Sequence, residues 1–190
     1  MKRALVTGGC GFIGSNLTKE LVSQGWLVDV VDDMSNGHLE LLGSVKKRIL
    51  PNASFVDVYD NQVKNGSVNR QDDEVLVIQD DFADPMLLVK VASGCYDFVF
   101  HQAAVPRVSY SVEKPAETTD TNINKTVALF EACNLGNVKR IIFASSSSVY
   151  GGADNLPTKE TAPKNPKSPY TKQKLQLNKD CHHIGLLQKH

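Results

Sequence analysis

Apolar residues in this chain fall into short, nearly unbroken runs, set apart by longer stretches with helical spacing. The runs are RALVTG from Arg3, WLVDVVDD from Trp26, VLVIQDD from Val75, DFVFHQAA from Asp97 and RIIFASS from Arg140. Their brevity and their richness in Val, Ile and Phe predict strands buried on both faces. Between the first two lies GFIGSNLTKELVSQG. Its Phe12, Ile13, Leu17, Leu21 and Val22 share one side of a helix that stops at Gly25. DPMLLVKVASG and KPAETTDTNINKTVALFEACNLG predict further helices, with Pro85 and Pro115 in the first turn, where a missing N–H is tolerated. Strands alternating with helices predict an α/β fold, a doubly wound parallel sheet covered on both faces.

Between Asn36 and Glu74 the pattern weakens. GHLELLGSVKKRIL has spacing compatible with a helix, whereas PNASFVDVYDNQVKNGSVNRQDDE is polar and carries two turn signals. The latter predicts an exposed polar insertion near residues 50–74, within a domain spanning 1–174. Residues 175–190 then form a shortened helix and tail. No internal repeat is visible.

The length of 190 residues suits one domain. Hydrophobic residues at 41% and charged residues at 22% allow a buried core. Lys+Arg and Asp+Glu are both 21, so the basic footprint of a nucleic-acid binder is lacking and no nucleic-acid partner is expected. Cys10, Cys95, Cys133 and Cys181 are scattered without a C-x-x-C pair. That favours reduced thiols in a cytoplasmic setting over a disulfide framework or a zinc site. The first strand is expected almost at Met1, leaving no room for a signal peptide. No apolar run approaches the ~20 residues of a membrane-spanning helix, so no membrane partner is expected.

Gly8, Gly11 and Gly14 stand where the first strand ends and the first helix begins. Glycine weakens either element by roughly 0.5–1 kcal/mol at an interior position, so the cluster needs a reason. In this context one glycine permits a tight turn, one lets the backbone approach a pyrophosphate, and one lets the helix pack on the sheet. The helix N-terminus adds free N–H groups and a positive dipole end. Asp32 ends the next strand. A carboxylate there accepts hydrogen bonds from the adenosine ribose and repels a 2′-phosphate, so the expected cofactor is NAD rather than NADP. The plain alternative is a tight strand–helix connection with no ligand. Asp81, in QDDFAD, is a second acid at a strand end, suited to the adenine amino group with Phe82 on the ring. Asp80 is a rival for that role, and an N-cap or loop acid is the structural alternative.

A serine run, FASSSSVYGG, follows the last strand, and SPYTKQK opens a later helix with Ser168 as N-cap and Pro169 in the first turn. Tyr170 and Lys174 are four apart and share one helix face. A free tyrosine has a pKa near ~10 and is a poor base at neutral pH. A nearby lysine cation favours the phenolate and is expected to lower that value. A serine hydroxyl at the strand end can relay a substrate proton to Tyr170.

Taken together, VTGGCGFIGSNL, VDDMSNG, FVFHQAAVPRVSYSVEKP, VKRIIFASSSSVYG and SPYTKQK resemble the extended short-chain dehydrogenase/reductase group. Within it the resemblance is to the NAD-dependent nucleotide-sugar epimerases and dehydratases, and it covers nearly the whole chain. It implies a Rossmann-like domain in which Gly8, Gly11, Phe12, Ile13 and Gly14 hold the pyrophosphate. Asp32 would bind the ribose, with Asp33, Asn36 and Gly37 close by. Asp81 and Phe82 would lie at adenine, Gln102, Ala103 and Ala104 on the nicotinamide side, and Asn122 on the helix behind the cofactor. Tyr170 would be the base, with Lys174 holding the nicotinamide ribose. Ser146 matches the catalytic hydroxyl, and Ser147 and Ser148 are candidate substrate contacts. Dehydratases of this group carry an Asp-Glu pair directly after that hydroxyl. Ser147-Ser148 offers no acid to assist elimination, which favours 4-epimerisation of a UDP-sugar, of the UDP-glucose or UDP-N-acetylglucosamine type, through a 4-keto intermediate.

Lys125 departs from the family, where glycine is usual. Family members continue past the Tyr-x-x-x-Lys helix into a smaller substrate domain, which DCHHIGLLQKH does not supply. The sequence therefore reads as C-terminally truncated, with a homodimer or a complementing C-terminal polypeptide as a possible partner beside the nucleotide-sugar substrate. The alternatives are a non-catalytic NAD-binding module, a decayed enzyme, or a dehydratase. Cys181, His182 and His183 read as a frayed helix end rather than a metal site.

Overall fold

The computed structural model describes residues 1–64, 70–152 and 157–183. The chain forms two compact units. The first comprises Met1–Ala103 and Ala128–Phe143, and the second comprises Ala104–Val127 and the residues from Ala144 onward.

The first unit is built on a six-stranded parallel sheet of β1 (Arg3–Thr7), β2 (Leu27–Val31), β3 (Lys47–Leu50), β4 (Val75–Ile78), β5 (Phe98–His101) and β6 (Arg140–Phe143), in the order β3-β4-β2-β1-β5-β6. Thr7 pairs with Val31 and His101, Ile78 with Val31 and Leu50, and Phe143 with His101. The carboxyl ends of all six strands thus stand in one row, where ligands of such sheets bind. β4 is buried at every position and β2 at all but its first residue, as their unbroken apolar runs require. The two edge strands carry Lys47, Arg48 and Arg140 instead. Ala4, Val6, Val28, Val30, Val75 and Val77 pack with Leu21 of α1 (Phe12–Ser23) into one core cluster. Leu87 and Val91 of α3 (Pro85–Ala92), and Leu129 and Phe130 of α6 (Lys125–Leu135), are also wholly buried.

From Asn36 to Lys64 the chain is more ordered than its composition predicts. LELL forms one 3-10 turn, KRIL forms the edge strand β3 rather than the end of a helix, and α2 spans Phe55–Lys64. Ala53, Val56 and Tyr59 are buried at a three-residue spacing, so the expected exposed insertion packs one face inward. The Asp80 carboxylate accepts the Ala53 N–H at 2.8 Å and ties this segment to the end of β4. Residues 65–69 and 184–190 of the expected insertion and tail lie outside the described residues, as do the side chains of Cys181, His182 and His183.

A charge is buried in mid-sheet. Asp29 of β2 is inaccessible and meets Arg3 at 2.8 Å, Arg70 at 2.7 Å and the Tyr96 hydroxyl at 2.8 Å. Burial opposes its ionisation most strongly, yet the cations of Arg70, Arg3 and Lys90 hold it below the usual carboxylate range.

The second unit contains α4 (Val108–Glu113), α5 (Pro115–Thr119), a π turn over Asp120–Asn124 and the start of α6. It also contains a 3-10 turn over Ser147–Tyr150 and α7 (Pro169–His183). Ser168 caps α7 as its sequence predicts. Its hydroxyl accepts the Thr171 N–H at 3.3 Å while its own N–H reaches the Thr171 hydroxyl at 2.9 Å, a reciprocal capping box. Among the described residues no helix is long and apolar enough to cross a membrane.

Candidate active site

In the first unit the turn between β1 and α1 is shaped by contacts a side chain would destroy. Gly8 has φ +66°, and a Cβ there would lie 2.9 Å from the Ala103 nitrogen. A Cβ at Gly14 would overlap the Gly8 carbonyl oxygen and lie 2.8 Å from Gly9 Cα. Gly9, which the spacing argument passes over, faces Val30 with no room for a Cβ, its methyls being 2.6 Å from that position. Gly11 differs. A Cβ there would meet only the Gly8 oxygen, at 3.2 Å, so its outer side is open. Gly11 is also the N-cap of α1, with no side-chain cap and no acidic residue in the first turn. An uncapped helix N-terminus beside an open glycine fits a pyrophosphate.

Asp32 stands directly after β2 and is 7% exposed. Its two oxygens accept the N–H groups of Cys10 at 2.9 Å and of Met34 at 3.0 Å. The His38 N–H reaches the Cys10 carbonyl at 2.9 Å. Asp32 therefore pins the glycine turn to the loop after β2, and each oxygen retains a lone pair for a ribose hydroxyl. Burial raises its pKa, and the two backbone hydrogen bonds oppose that rise. In the same loop Asp33 accepts the Ser35 N–H at 2.9 Å, Asn36 lies beside Ser35, and Gly37 abuts the Asp32 carboxylate, which would lie 2.5 Å from a Cβ.

Other positions read from the sequence have mixed surroundings. Asp81 accepts the Ala83 N–H at 2.8 Å in a local turn. Phe82 is buried, and its ring meets that of His101 at a tilt of 60° with centroids 4.9 Å apart. Gln102 and Ala103 are held to Thr7 through their N–H groups, at 3.2 Å each. Phe12 and Ile13 are exposed at the start of α1.

In the second unit Ser146, Tyr170 and Lys174 come together. The Ser146 hydroxyl stands close enough to the Tyr170 phenol to act on its proton. Lys174 lies one turn beyond Tyr170, with its ammonium 2.9 Å from the Ala144 carbonyl. Burial pushes the Tyr170 phenol above its ordinary value, and the Ser146 hydroxyl acts in the opposite direction. Ser146 caps the 3-10 turn, accepting the Ser148 N–H at 3.2 Å, while Ser147 is exposed.

Two anchors of this site, Ser111 and Gln173, were invisible along the sequence, and the contacts of a third, Asn122, were not given by the resemblance that names it. Ser111 accepts the Tyr170 N–H at 3.2 Å. Gln173, between Tyr170 and Lys174, reaches Thr118 at 3.2 Å and Thr119 at 3.0 Å. Asn122 of the π turn donates to Gln173 at 2.9 Å and to the Val105 carbonyl at 3.2 Å, and accepts the Val105 N–H at 2.8 Å. Asn122 thus holds the stretch after Ala104. The one available signal was a polar Gln173 on the buried side of α7.

A parallel doubly wound sheet with an open glycine turn and an acid after its second strand defines a dinucleotide-binding protein of the Rossmann type. A model of the NAD dependent epimerase/dehydratase family matches residues 4–187, and the chain belongs to that family. It is 33% identical over 178 residues to UDP-glucose 4-epimerase of Lactobacillus helveticus, across 93% of this chain and 45% of that protein. Among solved structures, UDP-N-acetylglucosamine 4-epimerase from Methanobrevibacter ruminantium M1 in complex with UDP-N-acetylmuramic acid matches with a TM-score of 0.75 and 33% identity, over 97% of this chain and 52% of that one. UDP-glucose 4-epimerase from Brucella ovis in complex with NAD matches with a TM-score of 0.75 and 30% identity, over 97% and 48%. The chain spans about half the length of these relatives.

Proposed function

We propose that this protein acts in the 4-epimerisation of a nucleotide sugar, UDP-glucose or UDP-N-acetylglucosamine, with NAD as cofactor. The observation that carries the reading is the gathering of Ser146, Tyr170 and Lys174 in one unit, with Lys174 one turn beyond Tyr170 on the same helix and its ammonium 2.9 Å from the carbonyl of Ala144, two residues before Ser146. NAD, when bound, would supply the hydride acceptor and donor for sugar C4. The residues of the first unit bind it. The open side of Gly11 and the start of α1 take the pyrophosphate, and Asp32 takes the adenosine ribose. Tyr170 removes the proton of the sugar 4-hydroxyl as hydride leaves C4, with Ser146 as relay, and gives it back when hydride returns. Lys174 holds the nicotinamide ribose.

Two serines follow Ser146, where an elimination would need an acid and a base at neighbouring sugar carbons. Their hydroxyls support a reaction that begins and ends with the same atoms on the sugar.

The reading predicts that calorimetric titration finds NAD bound at least tenfold more tightly than NADP, a difference of about 1.4 kcal/mol. It also predicts that UDP-glucose and UDP-galactose interconvert in a coupled assay of a form that carries the substrate domain, and that the 190-residue chain alone binds NAD without measurable turnover. Equal affinity for NAD and NADP would overturn the role of Asp32. A 4-keto-6-deoxy product in place of the epimer would move the protein to the dehydratases.

A further inference from the structure

The start of α7 takes one of its hydrogen bonds from another helix. The first N–H groups of a helix have no partner within it. In α7 the Ser168 N–H goes to the Thr171 hydroxyl at 2.9 Å, Pro169 has none, and the Thr171 N–H goes to the Ser168 hydroxyl at 3.3 Å. The Lys172 N–H opens the regular ladder on the Ser168 carbonyl at 3.0 Å. That leaves the buried N–H of Tyr170. Its acceptor is the Ser111 hydroxyl of α4, 3.2 Å away and 59 residues earlier in the chain. Ser111 is inaccessible to solvent and is the one buried residue of the six in α4. A helix that buries a single side chain is expected to bury an apolar one, yet Val108 and Val112 of α4 are exposed. The direction of the Ser111 bond is also fixed. Its hydroxyl donates to the Val108 carbonyl at 2.7 Å, one turn back in α4. The single proton is thus committed within α4, and the oxygen meets Tyr170 as an acceptor.

We propose that Ser111 is a positioning residue, whose oxygen holds the Tyr170 N–H and so sets the place of the first turn of α7 and of the phenol it carries. The proposal rests on the reading of Tyr170 as the group that takes the sugar proton. A tyrosine ring hangs on two side-chain torsions, so the phenol oxygen follows its own backbone. Tyr170 is also buried, which narrows those torsions further. Gln173 grips the next turn of α7 through Thr118 and Thr119, and Ser111 holds the end that bears Tyr170. Without the Ser111 oxygen a buried N–H loses its acceptor, and the turn must shift or fray to regain one. Misplacing a reacting group by about 1 Å costs on the order of 10²-fold in rate. A bond that takes no part in the chemistry can therefore govern turnover.

The test separates position from stability. Amide hydrogen exchange is followed by NMR in the 190-residue chain. In Ser111→Ala the Tyr170 amide is expected to exchange about fivefold faster or more, the fold-change of one net hydrogen bond. The amides of Thr171 and Lys172, held by Ser168, should keep their parent rates within about twofold. In a form that carries the substrate domain, Ser111→Ala should lower kcat about tenfold or more and leave the KM for UDP-glucose within about twofold. A second variant removes the donor instead of the acceptor. Replacing Tyr170 by its α-hydroxy acid turns the N–H into an ester oxygen and changes no side chain. It should lower kcat to a similar extent, and the two changes together should lower it no further. A parent exchange rate at the Tyr170 amide of Ser111→Ala overturns the proposal, as does equal acceleration at Tyr170, Thr171 and Lys172. Fully additive losses of kcat do the same. Should Ser111→Ala not fold, the ester variant decides alone, and a parent kcat there overturns the proposal. A faster Tyr170 amide beside a complete form that does not epimerise counts against the proposed function and leaves Ser111 as the holder of this turn.

Discussion

The surface proposed for the dinucleotide in the first unit is made of backbone, while the groups proposed to react in the second unit are side chains. At Gly8 and Gly14 the fold has no space for a single added carbon, yet Gly11 is open on its outer side. Around Ser146 and Tyr170 the geometry rests on hydroxyls and amides such as Ser148, Ser111, Asn122 and Gln173, each replaceable without steric conflict. A backbone site fails when an atom is added. A side-chain site fails when an atom is removed, and it does so one hydrogen bond at a time.

The largest effect that separates the two concerns Tyr170. Tyr170→Phe removes one oxygen and leaves every contact of the glycine turn. UDP-sugar turnover is expected to fall by roughly 10²–10⁴, the usual contribution of a positioned base, while NAD affinity by calorimetry stays within about twofold. Turnover near the parent value would take Tyr170 out of the mechanism.

Gly14→Ala makes the opposite change. Its Cβ would overlap the Gly8 oxygen and crowd Gly9 Cα, both backbone atoms that cannot rotate away. A loss of about 3 kcal/mol in urea unfolding is expected, the upper end for overpacking, together with loss of NAD binding. Full NAD affinity in Gly14→Ala would show that the turn has slack the structure does not reveal.

The same contrast explains what could be read from the sequence. The glycines were legible because a backbone site writes itself as residue type at fixed spacing, directly after an apolar run. Asp32, Ser168 and the pairing of Tyr170 with Lys174 were legible for the same local reason. β3 was not, because KRIL is a four-residue edge strand with two charged positions and no strong alternation. The burial of α2 had a signal in Ala53, Val56 and Tyr59, but it was diluted by polar neighbours. Asn122 and Gln173 meet across 51 residues of sequence, and no local pattern encodes such a contact. The Ala144 carbonyl that receives the Lys174 ammonium lies 30 residues away in sequence, and helical spacing gives no sign of it.

Asp32 sharpens the comparison because it is a side chain serving a backbone site. Asp32→Ala removes the ribose acceptor and also frees the N–H groups of Cys10 and Met34. NAD affinity is expected to fall roughly tenfold or more, as loss of a charged hydrogen-bond partner implies, and the preference over NADP to narrow. The pH sign is also defined. Burial raises the Asp32 pKa, and the ionised form is the stronger acceptor toward the ribose. NAD binding should therefore weaken as pH falls, beginning above the ordinary carboxylate value of about 4. Calorimetry across that range that showed no weakening would separate Asp32 from the ribose.

The smallest effect is expected at Gln173, where a buried network is cut in the middle. Gln173→Leu keeps nearly the same volume, so little cavity forms. Asn122 loses one acceptor but keeps both of its bonds to Val105. Thr118 loses a donor to its oxygen but still donates to the Lys114 and Pro115 carbonyls, at 3.1 and 3.2 Å. Thr119 loses the Gln173 donor but is only half-buried, where water can replace it. With no buried group stripped of every partner, the loss in urea unfolding should be about 1 kcal/mol, the net value of a hydrogen bond rather than the larger penalty of a buried orphan. Combining it with Asn122→Leu should give less than the sum of the two single losses, by about 0.5 kcal/mol or more, because both act on one network. Strict additivity would mean that Asn122 and Gln173 support α7 independently, and that the hydrogen bond between them holds nothing in place.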